Sequence, residues 1–351
     1  MSGLIHSGIK KTNQGLQVNF FSFCIKHFAT VAAVALLTVS TSAQANYAER
    51  DDVRRFIDEL VNDHGFDRAY LNKLFTDAER LDNVLESIAR PAEKTLNWKQ
   101  YRPIFVTEKR TRRGHDFIKE HRATLERAEK EYGVPLEIIA AVIGVETYYG
   151  RITGKYTVFD SLTTLGFDYP PRSRFFKSEL KQFLLLSNEE HIDVEDMTGS
   201  YAGAMGMPQF ISSSYRRYAV DFDGDGKRDL WHSIPDVIGS VANYFSEHGW
   251  KRGQGVVYPV KVTDPSVVPE KNSLKPYDTV ASFMKKGVVL SGMDGSEKIA
   301  ADDQATLLKF YGKQGDEYWL GLKNFYVITR YNHSDMYALA VYQLSQKLKE
   351  N

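Results

Sequence analysis

One cysteine, Cys24, stands in 351 residues, upstream of every stretch with globular patterning. No disulfide framework can form within the chain. No sign of charge dominates either. Lys and Arg number 45, as do Asp and Glu, and no long basic run argues for a nucleic-acid partner. No apolar run is long enough for a comfortable membrane span. Ser-His-Asp elbows, P-loops and dinucleotide fingerprints are absent, as are internal repeats. The nine His are scattered without metal-ligand spacing. What remains is ordinary globular composition, 42% hydrophobic and 26% charged, with length for one large domain or several smaller ones. The 13% aromatic content suits sugar faces and plain core packing alike.

Residues 1–45 differ from the rest. They hold Lys10, Lys11 and Lys26 but no Asp or Glu, and "FATVAAVALLTV" runs into "STSAQAN". A charged region, a short apolar region and an Ala-x-Ala site read as a secretory signal cleaved after Ala45. The long polar stretch before Lys26 also fits a start site set too far upstream, or an uncleaved anchor. Cys24 precedes the apolar run, whereas a lipoprotein cysteine would follow it. The expectation is an exported, periplasmic protein without a lipid anchor. Removing three lysines from the 45 basic residues leaves 42 against 45 acidic ones, a mildly acidic mature chain.

From 46 to 133 the periodicity is helical. "AERDDVRRFIDELVNDHG" sets Val53, Phe56, Ile57, Leu60 and Val61 on one face and stops at Gly65. Shorter helices follow in "DRAYLNKLFTDA" and "LDNVLESIA". A break is expected at Pro103, then one long charged helix from Thr107 to Glu131. Gly133 caps it and Pro135 opens the next helix. Residues 150–173 read as loop, 174–186 as helix, and 198–231 as a Gly- and Ser-rich stretch before a helix near 236–248. "GVVYPVKV" and "KKGVVLSG" signal a small strand-containing region over 251–325. A helical segment, 326–351, returns to the core.

The stretch 134–151, "VPLEIIAAVIGVETYYGR", poses the chemical question. Glu146 follows Ile143 by three, Val142 by four and Ile139 by seven, so the four share a helix face. A carboxylate buried there without a partner would have its pKa raised, and a protonated acid at neutral pH is what glycosidic cleavage needs. Emergence at the helix end, or pairing with Arg151, is the competing reading.

Four blocks carry a resemblance: "GVETYYGR", "GSYAGAMGMPQFISSSYRRYAVDFDGDG", "DVIGSVANYFSEHGW" and "EYWLGLKNFYVITRYNHSDMYALAV". In that order they resemble the lytic murein transglycosylase B family, from about residue 50 onward. The resemblance implies a mainly α fold: a goose-lysozyme-like catalytic core over 134–250, an added helical region over 46–133 and a small β-containing insert. It implies cleavage of peptidoglycan between N-acetylmuramic acid and N-acetylglucosamine, leaving a 1,6-anhydro ring. Glu146 would be the one catalytic carboxylate, acid first and base second. By the same resemblance Ser200, Gln209, Tyr244, Asn332, Tyr337 and Tyr101 would contact sugar or position the acid. Met207-Pro208 before Gln209 departs from the family pattern. The partners implied are peptidoglycan strands bound by a monomer, compatible with peripheral association with a membrane or wall-synthesis machinery.

"DFDGDGKRDLW" reads as a Ca²⁺ loop. Asp221, Asp223 and Asp225 occupy positions 1, 3 and 5 of an EF-hand, Gly226 position 6, and Lys227 offers a carbonyl at 7. Position 12 is His232 rather than Glu, so an enlarged loop closed by Asp236 is expected, with Asp229 bound directly or through water. The role expected of the ion is structural, and no organic cofactor is called for. Three other functions compete: a lysozyme-like hydrolase of the same bond, a non-catalytic wall-binding protein and, disfavoured by its single irregular loop, a Ca²⁺ sensor.

Overall fold

The computed structural model describes residues 46–89, 96–291 and 299–349. The signal segment read over 1–45, Cys24 included, lies outside them. Fourteen α-helices and seven strands occur among the described residues.

A single 3₁₀ turn, Tyr47–Glu49, opens the structure and is tied far along the chain. The Tyr47 hydroxyl donates to Asp168 at 2.6 Å, and Arg50 pairs with the same carboxylate at 2.5 Å. Helix α1 (Asp51–His64) buries Val53, Phe56, Ile57 and Leu60 and ends on Gly65 at φ 73°. Helix α2 (Arg68–Asp77) is capped by Asp67, whose carboxylate accepts from Tyr70 N. Helix α3 (Asp82–Ala89) follows, then α4 (Trp98–Phe105), opened by a reciprocal Asn97–Gln100 capping box. Pro103 lies inside α4 and does not break it. Its ring and the Lys99 carbonyl it leaves unbonded share the exposed side, where solvent replaces the lost partner.

The long charged helix is two helices, α5 (Glu108–Glu120) and α6 (Arg122–Tyr132), separated at His121 with φ −112°. The bend lets α5 pack on α7 and α14 while α6 packs on α7 and α11, which one straight rod could not do. Helix α7 (Leu136–Thr147) is buried on nearly every side and sits at the centre of this packing. Its six buried Leu, Ile and Val side chains contribute roughly 1.5–3 kcal/mol each.

The stretch read as loop contains α8 (Val158–Asp168), packed on α9 (Ser173–Glu190). Burial overrides the weak propensity of its Thr, Ser and Gly residues. A two-residue strand, β1 (Tyr156–Thr157), precedes α8 and pairs with β2 (Thr198–Gly199). Helix α10 (Ser212–Tyr218) emerges in the Gly- and Ser-rich stretch, and α11 (Ile234–Glu247) spans the expected helix.

The strand-containing region is an antiparallel five-stranded sheet. It uses β3 (Val257–Val262), β4 (Asp278–Thr279), β5 (Val288–Leu290), β6 (Gln304–Gly312) and β7 (Gly315–Gly321) in the order β4-β6-β7-β3-β5. The short helix α12 (Val280–Lys285) packs against it. The β6–β7 hairpin lies beyond the two strand signals read from the sequence. Helices α13 (Lys323–Tyr331) and α14 (Asp335–Lys349) follow, the first starting three residues before the expected boundary.

Two glycines shape the core beside α7. A Cβ at Gly144 would lie 2.6 Å from the Tyr149 ring, and one at Gly114 of α5 would lie 2.2 Å from the Tyr149 hydroxyl. They form a slot for a ring that is only 8% exposed. Gly144→Ala should destabilise the fold by about 1–3 kcal/mol through overpacking, read as a fall of several degrees in Tm. An unchanged Tm would disprove the slot.

Candidate active site

Glu146 sits in the last turn of α7, half-buried, above the aliphatic face formed by Ile139, Val142 and Ile143. The helix then stops abruptly. Tyr148 and Tyr149 both adopt left-handed backbone, φ 54° and 60°. That conformation costs a tyrosine roughly 1–3 kcal/mol, less than α7 gains by burial. The Tyr149 ring in its glycine slot, and Tyr148 beneath the Arg110 guanidinium at 5.2 Å, hold the reversal.

The turn docks onto the Gly-rich loop. Thr147 Oγ1 donates to the Met207 carbonyl at 2.8 Å and accepts from Gly150 N at 3.0 Å. Gln209, at φ 52°, donates its amide to the Thr153 and Gly206 carbonyls, both at 2.9 Å. Ser200 Oγ accepts from Ala202 N and Ala204 N and closes the tight turn between them. A Cβ at Gly154 would lie 1.9 Å from the Gly199 carbonyl oxygen, so only glycine permits this approach. Ser200 and Gln209 thus belong to a loop fastened to the end of the acid's helix.

Helix α14 supplies the opposite side. The Tyr337 hydroxyl donates to Glu146 Oε1 at 2.5 Å across 191 positions of sequence. Tyr331, at the end of α13, stacks on Tyr337 with ring centroids 6.4 Å apart and planes 10° apart. Its hydroxyl donates to the Pro208 carbonyl at 2.6 Å. Burial, then the nearby Glu146 charge, pushes both phenols well above the usual tyrosine range, so both stay protonated at working pH.

The remaining sequence-read residues fall around this pair. Tyr101 is 2% exposed and packs with Trp98 and Phe105, so its ring backs the site rather than lining an open groove. Tyr244 is one layer out: its hydroxyl donates to the Arg330 carbonyl at 2.6 Å and its ring meets Tyr331 edge-on at 4.9 Å. Asn332 makes the α13–α14 turn, its carbonyl accepting from Ser334 N at 2.7 Å. Sequence reasoning passed over Tyr331 and Thr147, although each adjoins a residue it singled out.

In the acidic loop, Asp221, Asp223 and Asp236 bring carboxylate oxygens within 4.8 Å of one another. Asp236 is fully buried, accepting from Phe222 N at 2.7 Å and Asp229 N at 2.8 Å. Burial and the Asp223 charge raise its carboxyl above the usual range, a field that a cation would relieve. Asp221 is lowered by backbone amides, foremost Gly226 N. Asp225 turns to Lys227 N instead, and its carboxylate lies outside the converging three. Three hard oxygen donors, one buried, fit a divalent cation. The loop's exit reaches the acid. Leu230 O accepts from Met207 N at 2.9 Å, and the Met207 carbonyl in turn holds Thr147, next to Glu146.

A family model described as "Transglycosylase SLT domain" matches residues 48–346. The chain is 41% identical over 310 residues to the membrane-bound lytic murein transglycosylase B of Escherichia coli (strain K12), covering 86% of this chain and 83% of that protein. It superimposes on the lytic transglycosylase SltB1 of Pseudomonas aeruginosa with a TM-score of 0.81 and 48% identity, over 87% and 99% of the two chains. For the Escherichia coli lytic transglycosylase Slt35 the values are 0.78, 42%, 87% and 95%.

Tyr337→Phe removes one hydrogen bond to a charged group, worth about 1.5–3 kcal/mol. It should lower kcat roughly ten- to a hundredfold with KM little changed and the far-UV spectrum intact. An unaltered kcat would dismiss the contact as incidental.

Proposed function

The chain belongs to the transglycosylase SLT domain family, and we propose that Glu146 is its sole acid and base in cleaving the glycan strand of murein without water. The bond is that between N-acetylmuramic acid and N-acetylglucosamine. Glu146 in its acid form protonates the leaving oxygen as the C1–O bond breaks. The resulting carboxylate then accepts the proton of the muramoyl C6 hydroxyl while that oxygen bonds to C1 and closes the 1,6-anhydro ring. No water is consumed, so no second carboxylate is needed to activate one.

The observation that carries this reading is the phenol–carboxylate hydrogen bond between Tyr337 and Glu146. A phenol that never ionises donates to Oε1 in both halves of the cycle. It leaves the proton in transit to Oε2 and keeps the carboxyl in one orientation. The stacked Tyr331 ties this pair to the Pro208 carbonyl, so sugar-facing loop and acid move together. Ser200, Gln209 and Asn332, with Tyr101 and Tyr244 behind, complete the cleft in this proposal.

Slt35 is known in complex with calcium. Here Asp221, Asp223 and Asp236 would hold such an ion, which would screen their mutual repulsion and stiffen the loop carrying Leu230. The reaction does not pass through it. SltB3 of Pseudomonas aeruginosa, 30% identical with a TM-score of 0.75, is known with NAG-NAM-pentapeptide, which supports a peptide-bearing glycan as substrate. No helix among the described residues is long and apolar enough to cross a membrane. The proposal places the enzyme in the periplasm.

Glu146→Gln should lower wall-degrading activity by about 10²–10⁴-fold, and wild-type products should end in anhydromuramoyl groups by mass spectrometry. Hydrated reducing ends would refute the reaction type, and an active Glu146→Gln variant the residue. Chelation should lower Tm by several degrees, as expected when a ligand held only by the folded state is removed. Activity at low temperature should survive, and a Tm indifferent to chelator would remove the ion from the account.

A further inference from the structure

Beside the catalytic pair lies an open groove of about 970 Å³, at the upper end of the range for small-ligand sites. It runs between the β-sheet region and the α13–α14 junction, and Glu146 is not among its lining residues. Its wall is nevertheless the catalytic wall seen from the other side. Within the segment 330–337, Tyr331 and Tyr337 bear on Glu146, while Arg330 and residues 333–336 line the groove.

The groove is a built feature. Asn272 uses its whole amide to assemble it. Nδ2 donates to the Lys309 carbonyl at 2.9 Å and to Asp335 at 2.6 Å, and Oδ1 accepts from Lys309 N at 2.8 Å. Thr306 fastens the neighbouring Ser273 carbonyl at 2.8 Å. A loop, the edge of β6 and the start of α14 are thereby locked together.

Its charge is lopsided. Four cations, Lys271, Lys275, Lys309 and Arg330, face two acids, Glu270 and Asp335. Asp335 is taken by Asn272 and by Met336 N, and Lys309 by Asp316 at 2.8 Å. Lys271, Lys275 and Arg330 are exposed and make no ion pair among the described residues. Beside them the Tyr311 ring, 54% exposed, offers an apolar surface. Unpaired cations next to an aromatic face, on the other side of the segment whose Tyr331 and Tyr337 bear on Glu146, suit a flexible anion attached to the sugar there.

We propose that this groove receives the peptide branch of the glycan strand, its carboxylates meeting Lys271, Lys275 and Arg330. The assignment rests on the substrate reading above, since it is a peptide-bearing strand at Glu146 that would project a branch here. A peptide always ends in a carboxylate, and such strands would gain affinity by charge-assisted hydrogen bonds that bare strands cannot make. The gain would weaken with added salt, because the cations are exposed.

The test compares glycan strands bearing pentapeptide with the same strands stripped of peptide, using the full chain. The variant Lys271→Ala/Lys275→Ala/Arg330→Gln should raise KM on peptide-bearing strands by about tenfold, the sum of three exposed charge contacts, and leave kcat unchanged. On stripped strands both constants should stay within about twofold of wild type. Equal losses on both strands, or none on either, would overturn the groove assignment. A second arm does not depend on turnover. Calorimetry with Glu146→Gln should show tighter binding of pentapeptide-bearing disaccharide than of bare disaccharide, and the triple substitution should erase the difference. If the wild type released no anhydro products, the substrate reading would fail. The groove would still be judged by calorimetry, where equal binding of the two disaccharides overturns it.

Discussion

The site depends on α14 lying against α7. Helix α7 carries the carboxyl group and α14 carries the phenol that orients it. The two segments are joined by nothing local. Their contact is held by a core to which α5, α6 and α11 also contribute. A carboxylate at a helix end is an ordinary object. It becomes a directed acid only because a non-ionising donor is delivered to one of its oxygens by an element packed for hydrophobic reasons. The geometry of the Glu146–Tyr337 pair is therefore a by-product of burial, accurate to the extent that the core is close-packed.

Local strain sits where that packing can hold it. Tyr148, Tyr149 and Gln209 all adopt left-handed backbone, and all three lie at the junction of α7 with the Gly-rich loop. Each has its compensation in view: an aromatic slot for Tyr149, a guanidinium over Tyr148, and two amide hydrogen bonds for Gln209. Glycine serves this junction in two ways. Gly154 permits backbone to touch backbone, while Gly144 and Gly114 permit a side chain to fold over helices. The acidic loop joins the same framework through Leu230 and Met207, which gives a distant carboxylate cluster a mechanical path to the acid.

Much of this could be read from residue order, and the failures have physical causes. The aliphatic run of α7, its acid and the Asp-rich loop are local patterns and were legible. Helix α8 was not, because its polar residues look like loop. In the fold they serve neighbours: Thr164 accepts from Leu81 N at 3.0 Å and Asp160 from Glu79 N at 2.9 Å, securing the α2–α3 connection. The break at His121 carries no Gly or Pro and reflects two packing directions rather than a local signal. Pro103 does not break α4 because its carbonyl partner is exposed, a tertiary fact that residue order does not carry. Tyr331 was passed over because its importance lies in a stacking partner set by the α13–α14 turn. Asp225, which a linear loop pattern ranks with Asp221 and Asp223, turns to the backbone once the loop closes on Asp236.

The 191 positions between Glu146 and Tyr337 also set an order of events. During synthesis from the N-terminus, Glu146 emerges long before the hydroxyl that orients it. Until α14 has arrived and docked, α7 lacks one of its packing partners and Glu146 lacks this donor. A partial chain therefore carries Glu146 without the hydroxyl that orients it. In a chain that cuts a polymer, the pair at the candidate site is complete only once residue 337 has joined the fold.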